Sequence, residues 1–413
     1  MTSIEIDGDR LAQLLKEANQ FGALPNGGVQ RLAWSEPEVE ARAWLLDRCL
    51  REGLEADQDQ AGNIWAWGGE QPAIVMGSHL DTVPNGGAFD GTLGVLAALE
   101  ILTTARKARA PHADRLAMVC FTDEEGVRFS TGMTGSRAVA GTLDPAELVD
   151  ASTADGQRLW DVLLDRGMDP ARVPDAAERR PAIAAYLELH IEQGRRLEAG
   201  DASVGLVNAI AGLNIWHIHV QGQANHAGTT QLQDRRDALI PAAAAILEAR
   251  QTMSDLSGLA ATVGDVRVEN AASNIVPRAT QYTVDIRSAD RDKIEEATGR
   301  ILGVIRTSAA ENKCHVEVEL TKSMPPVLLD RAVLSATKTT SPANKQRPEL
   351  ASMAGHDAMS LAAAGVPCGM IFVRSHHGMS HCPQEHSSVS DCAEGAQHMA
   401  DAALLLARDL AQV

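Results

Sequence analysis

The chain has 413 residues, 45% hydrophobic and 22% charged, an ordinary globular composition with length enough for two domains rather than one core. With 55 Asp and Glu against 37 Lys and Arg, the formal net charge is −18 and the acids are dispersed, which disfavours nucleic acid or another polyanion as partner. No stretch approaches the ~18 uninterrupted apolar residues of a membrane span, and the opening MTSIEIDGDR lacks the basic and apolar regions of an export signal, so a cytoplasmic protein without membrane association is expected. The six cysteines, at 49, 120, 314, 368, 382 and 392, form no CxxC pair and lie mostly in apolar or helical-looking segments, the pattern of reduced thiols.

Along the chain, short apolar runs from Ile74 to His79 and from Leu116 to Thr122 lead directly into charged residues, and residues 92–107 between them carry apolar residues at helical spacing. That reads as strand, helix, strand. Residues 141–181, rich in Ala, Asp and Pro, read as a helical excursion with loops. Two further strands, Ala184 to Ile191 and Gly369 to Arg374, also end in polar clusters, which gathers the chemistry at the carboxyl ends of strands, where open α/β sheets bind ligands. From Leu213 polar and apolar residues alternate as on a half-buried antiparallel strand. A helix at about 234–252, strands near 261–269 and 279–287, a helix near 291–310 and a strand at His315 to Leu320 follow. The order is βαββαβ, ferredoxin-like. After Pro325-Pro326 the α/β character returns. The expected fold class is therefore α/β: a mixed-sheet catalytic domain, residues 1–211 and 327–413, with an inserted ferredoxin-like domain, residues 212–326.

Four clusters carry the chemistry. His79 is followed eleven residues later by Asp90 in the turn Phe89-Asp90-Gly91, and an imidazole and a carboxylate at one strand-end crevice suit a borderline divalent cation, with Asp81 placed to orient the His79 ring. Taken alone, an HxD pair reads more simply as a capping Asp and a loop His. In Thr122-Asp123-Glu124-Glu125-Gly126 three adjacent acids repel unless a cation or solvent screens them. Since neighbouring side chains diverge, one of Glu124 and Glu125 can bind metal while the other activates water; the plainer reading is a solvated acidic turn. The third cluster is Leu189-His190-Ile191-Glu192-Gln193-Gly194. In the fourth, Arg374 to His386, composition does not choose among His376, His377, His381 and His386 as ligand.

Together, the motifs GSHLDTVPNGGAFDGTLGV, FTDEEGVRFSTGMTGSRAVAG, ELHIEQG, GQANHAGTT with RRDAL, ASNIVPRATQYTVDIRS, GHDA and GMSHCPQEH resemble those of the M20 superfamily amidohydrolases, in the branch of N-carbamoyl-L-amino acid hydrolases, β-ureidopropionases and allantoate amidohydrolases. The resemblance runs almost end to end. It implies two divalent ions per subunit, Zn, Mn, Co or Ni, with His79 and His190 on one, Glu125 and His381 on the other, Asp90 bridging and Glu124 as base. The histidine at 190 places the chain in the carbamoylase branch, where the wider superfamily generally carries a carboxylate. The inserted domain becomes a lid through which a homodimer forms, with His226 polarising the scissile carbonyl of the partner's site. Asn274 and Arg287 of the lid, with Gln193 and Gly355 of the catalytic domain, are implied to hold a small substrate bearing a carboxylate, a task suited to a guanidinium.

Read without the resemblance, Arg287 is an ordinary strand-end arginine paired to an acid, and His226 a loop histidine beside a glycine turn. Gln231 and Leu232 depart from the Pro-Met pair usual after HAGTT, and His386 stands where an aromatic residue is usual, at positions that bear on side-chain specificity. The expected activity is metal-dependent hydrolysis of the ureido C–N bond of an N-carbamoyl-L-amino acid, with allantoate or β-ureidopropionate hydrolysis or another M20 amidase activity as alternatives. A metal-free ligand-binding descendant is disfavoured, because such a protein has no need of Glu124 beside a full ligand set.

Overall fold

A computed structural model describes residues 4–341 and 347–412. The chain divides into two compact units, one of residues 1–208, 329–350 and 356–413, the other of residues 209–328 and 351–355.

The strands of the first unit are β1 (Glu55–Gln58), β2 (Ile64–Trp67), β3 (Ala73–His79), β4 (Leu116–Phe121), β5 (Ile183–Ile191) and the start of β6 (Val204–Ile210). In the second unit follow β7 (Gly212–Gln221), β8 (Asn225–His226), β9 (Leu259–Glu269), β10 (Ile275–Val276), β11 (Ala279–Ser288), β12 (His315–Met324) and β13 (Val327–Leu328). The short β14 (Glu349–Ser352) pairs with β6, and β15 (Cys368–Val373) completes the first unit.

The first unit's strands lie in the order β1-β2-β4-β3-β5-β15-β6. β3 runs parallel to β4 and β5, and β5 parallel to β15, while β1–β2, β2–β4 and β15–β6 are antiparallel, so the sheet is mixed. Parallel neighbours need crossovers, and the one between β3 and β4 is the helix Thr92–Lys107 expected from the sequence. Period-two alternation divides the chemistry from the core. Ile74 and Met76 of β3, Met118 and Cys120 of β4, and Ala185, Leu187 and Leu189 of β5 enter one cluster with the helices Gly8–Ala18, Thr92–Lys107 and Val389–Leu410. Their in-between neighbours, including Glu188 and His190, therefore point to the opposite face.

The second unit is an antiparallel sheet, β12-β7-β11-β9, with helices Ile240–Asp255 and Arg291–Glu311. Ile218, Val220, Tyr282, Val284 and Ile286 pack against Ala242, Ala245, Ile301 and Ile305 of the helices. The βαββαβ reading holds. Two details differ from the sequence reading. The first helix starts at Ile240 rather than near 234, because Pro241 lacks an N–H and is tolerated only in a helix's first turn. Residues 209–211, 327–328 and 351–355, expected in the catalytic domain, belong to the second unit, where the Ala211 N–H donates to the Ser352 carbonyl at 2.8 Å.

Candidate metal centre

In the first unit, the ends of β3, β4 and β5 bring His79, Glu124, Glu125 and His190 to the same place as Asp90, with His381 arriving from the segment after β15. Donor atoms of His79, Asp90 and His190 lie within 4.8 Å of one another, as do those of Asp90, Glu125 and His381. Asp90 belongs to both groups, and each of its oxygens faces a different one. Oδ1 is 3.7 Å from His79 Nε2 and 3.1 Å from His190 Nε2, while Oδ2 is 3.4 Å from His381 Nε2.

The imidazoles are held from behind. His79 Nδ1 donates to the Asp81 carbonyl at 3.0 Å and His190 Nδ1 to the Ile191 carbonyl at 2.9 Å, which leaves both Nε2 atoms facing Asp90. Asp81 acts on His79 mainly through its backbone. Its carboxylate is 3.6 Å from the ring and accepts instead from the N–H groups of Glu124 and Glu125 at 3.2 and 3.1 Å, so it positions the acidic pair. Gly91 in the Asp90 turn has φ 61, and a Cβ there would meet the His79 ring at 2.4 Å; only glycine lets this backbone lie against the imidazole.

Several residues that sequence reasoning passed over hold this frame. Glu385 Oε1 accepts from the N–H groups of Phe89 and Asp90 at 2.8 and 3.0 Å, and Ser380 Oγ lies 2.9 Å from both Glu385 Oε2 and Asp90 Oδ2. Gln193, which the sequence did single out but as a substrate contact, here donates from Nε2 to Asp90 Oδ2 at 2.7 Å. Buried Arg31 donates to the Leu80 carbonyl at 3.0 Å and to Thr92 Oγ1 at 2.7 Å, bracketing the segment that carries Asp81 and Asp90. These contacts span up to 296 residues, and no local pattern announces them. Glu188 could have been found. It sits two residues before His190, hence on the same strand face, and accepts from Ser78 Oγ at 2.8 Å and the Ala358 N–H at 3.0 Å. His356 of GHDA packs its ring 4.5 Å from that of His190.

The electrostatics are those of a buried acid cluster. Burial and then the charge of Glu125 push Glu124 well above the usual carboxylate range; burial and then Asp90 do the same to Glu125. Burial raises Asp81 to about 6 and Asp123 to about 7. Burial lowers His79 to about 4, whereas for His190 it is outweighed by Asp90 and Glu188, and the ring rises to about 9. Glu125 Oε1 is buried without a hydrogen-bond partner. Converging imidazole and carboxylate donors with an orphaned carboxylate oxygen fit borderline or hard divalent cations, which supply the positive charge these acids require.

In the second unit, β8 pairs with β10, His226 opposite Ile275, and the Ala227 N–H donates to the Asn274 carbonyl at 2.9 Å, so His226 and Asn274 are neighbours. His226 is exposed, and its Nδ1 accepts from the N–H groups of Gly228 and Thr229 at 3.1 and 3.2 Å. That fixes the tautomer with the proton on Nε2. Arg287 pairs with Asp285 through Nε and Nη2 at 2.9 and 2.8 Å, and its Nη1 is 3.5 Å from the Met353 carbonyl. The pairing was readable from spacing, since residues two apart on a strand share a face. Gly355 is half-buried at the end of the 351–355 segment.

Residues 75–405 match the model of peptidase family M20/M25/M40. An N-carbamoyl-L-amino acid amidohydrolase of Geobacillus stearothermophilus is 39% identical over 398 residues, 95% of this chain and 97% of that protein. The allantoate amidohydrolase of Escherichia coli strain K12 is 31% identical over 94% of this chain and 96% of its own. Among solved structures, a hydantoinase/carbamoylase family amidase from Burkholderia multivorans superposes with a TM-score of 0.88 at 29% identity, covering 98% of each chain.

Proposed function

The chain belongs to peptidase family M20/M25/M40, and on that premise we propose that it hydrolyses the ureido C–N bond of N-carbamoyl-L-amino acids, releasing the amino acid, ammonia and carbon dioxide. The observation that carries the hydrolytic reading is the Asp90 carboxylate, which turns one oxygen to His79 and His190 and the other to His381.

In this reading His79 and His190 would hold one divalent ion and Glu125 and His381 a second, with Asp90 shared. Bound there, the ions would lower the pKa of water and polarise the ureido carbonyl. Glu124 takes the proton of the attacking water and returns it to the departing nitrogen, a task suited to a carboxyl whose pKa burial has raised well above the usual carboxylate range. His226 presents Nε2–H, the donor that a developing oxyanion needs. Arg287, steadied by Asp285, and Asn274 would bind the substrate carboxylate, and Gln193 and Gly355 would serve its neighbouring polar groups. Zn, Mn, Co and Ni are all compatible with a shell of nitrogen and oxygen.

We assign the second unit as lid and dimerisation module. Exposed Ile240, Ile246 and Leu247 on its helix Ile240–Asp255 support a second copy as the partner. A homodimer in which His226 serves the partner's site predicts that mixing Glu124→Gln and His226→Ala subunits restores activity. Six free thiols support a cytoplasmic location.

A substrate panel tests the assignment: N-carbamoyl-α-amino acids, N-carbamoyl-β-alanine, allantoate, N-acyl amino acids and dipeptides, each with added Mn, Co, Ni or Zn. Highest kcat/KM on N-carbamoyl-α-amino acids is expected. A clear preference for allantoate, which the likeness to the E. coli enzyme makes the second reading, would replace it.

A further inference from the structure

We infer that His376, His377 and Glu198 form a third site, on the surface of the first unit, that binds one borderline divalent transition-metal ion of the zinc, nickel or copper type. One ligand atom from each lies within 4.8 Å of the others, and none belongs to the hydrolytic centre. Nδ1 of His376 and of His377 each lie 3.7 Å from Glu198 Oε1, and the two ring centroids are 4.0 Å apart.

Adjacent side chains on extended backbone diverge, so two neighbouring imidazoles converging on one carboxylate require a particular chain path. His377 supplies it by adopting φ 56, ψ 11, a left-handed conformation that costs a non-glycine residue roughly 1 kcal/mol. The strain is held by its surroundings. The His376 N–H donates to the His386 carbonyl at 2.8 Å, and the His377 N–H to Glu198 Oε1 at 3.0 Å. Gly378, with φ 64, lies so close to Gly194 and Arg195 that a Cβ would come within 2.8 Å of the Gly194 carbonyl carbon. Glu198 is also fixed, its Oε2 accepting from Arg195 Nε at 3.1 Å, and the His377 N–H holds its carboxyl below the usual range.

The rings are exposed by 59% and 62% and Glu198 by 22%, so an ion would take the three protein donors and complete its shell with water. Two imidazoles and a carboxylate favour metals late in the divalent series over Mg or Ca. An ion there would tie the short helix Arg196–Ala199 to the segment that leads into Ser380 and His381, without touching either of them.

The test uses holoenzyme with its resident ions in place, titrated with Cu2+ alone and followed by equilibrium dialysis and electron paramagnetic resonance. About one Cu2+ per chain beyond the resident ions is expected, with a Kd of roughly 10 µM or tighter and hyperfine splitting from two imidazole nitrogens. His376→Gln with His377→Asn should weaken that uptake by ~10–100-fold or more, the scale on which even outer partners alter metal affinity, and leave turnover without copper within about twofold. Asn suits the left-handed position, so this variant keeps the fold, and Glu198→Gln is an independent second variant. Absence of extra copper, or uptake and splitting undiminished in both variants, overturns the proposal whatever substrate the enzyme prefers.

Discussion

The two units present functional residues in opposite physical states. In the first, His79, Asp81, Asp90 and His190 are buried, oriented from behind by backbone carbonyls and crowded by acids whose pKa values burial has moved. In the second, His226 and Asn274 are exposed, and Arg287 is satisfied by Asp285 within its own strand. The first region is built to hold charge in a low-dielectric site; the second leaves His226 and Asn274 open to solvent. Substitutions in the first unit should therefore act on metal content or on the chemical step, and substitutions in the second on substrate and transition-state contacts with the metals intact.

Glu124→Gln should give the largest effect on turnover, a loss of about 10³–10⁵ in kcat, with metal content unchanged because the carboxamide keeps the shape but cannot take the proton. Metal analysis alongside single-turnover kinetics checks this; near-normal turnover at full occupancy would remove Glu124 from the base role. His226→Ala should cost about 10²–10³ in kcat, the worth of one well-placed oxyanion donor, with no change in bound metal. If it stripped metal, the division between the units would fail.

Arg287→Lys should act mainly on KM, raising it roughly tenfold, since a lysine cannot pair bidentately with a carboxylate. A fall in kcat with KM unchanged would mean that the Asp285–Arg287 pair supports the fold of the second unit rather than substrate.

The smallest effect sharpens the electrostatic half of the contrast. Asp81 and Asp123 have pKa values raised to about 6 and about 7, so the folded state holds protons that the unfolded chain releases at lower pH. Their contribution to stability is present below the unfolded value of ~4 and is lost as pH rises through the folded values. A bound cation opposes that loss. Chelation should thus lower Tm by roughly 5 °C or more at pH 8 and much less at pH 5, where protons already screen the acids and metal binds weakly. Calorimetry with and without chelator reads the difference, and a larger chelation effect in acid would contradict it.

The same contrast explains what could be read in the sequence. His79, Glu124, Glu125 and His190 were legible because apolar strands run straight into them, and the βαββαβ order because each period was clean. Ser380, Glu385 and Arg31 were not, because their partners lie 290, 295 and 61 residues away and the pattern around each is that of a polar loop. Asp81 was legible as a residue near His79 but not as the acceptor for the N–H groups of Glu124 and Glu125, since that depends on where β3 and β4 end side by side. Spacing left four histidines after β15 equivalent. Geometry separates them, setting the donor atoms of His381 with those of Asp90 and Glu125, and those of His376 and His377 with Glu198.

In the proposed centre Asp90 joins two cation sites, one oxygen facing His79 and His190 and the other His381. Metal stoichiometry of purified Asp90→Ala against wild type tests it most directly. About two divalent ions per wild-type chain are expected, with loss of both, together with turnover, in the variant; retention of wild-type metal content by Asp90→Ala would rule out a shared Asp90.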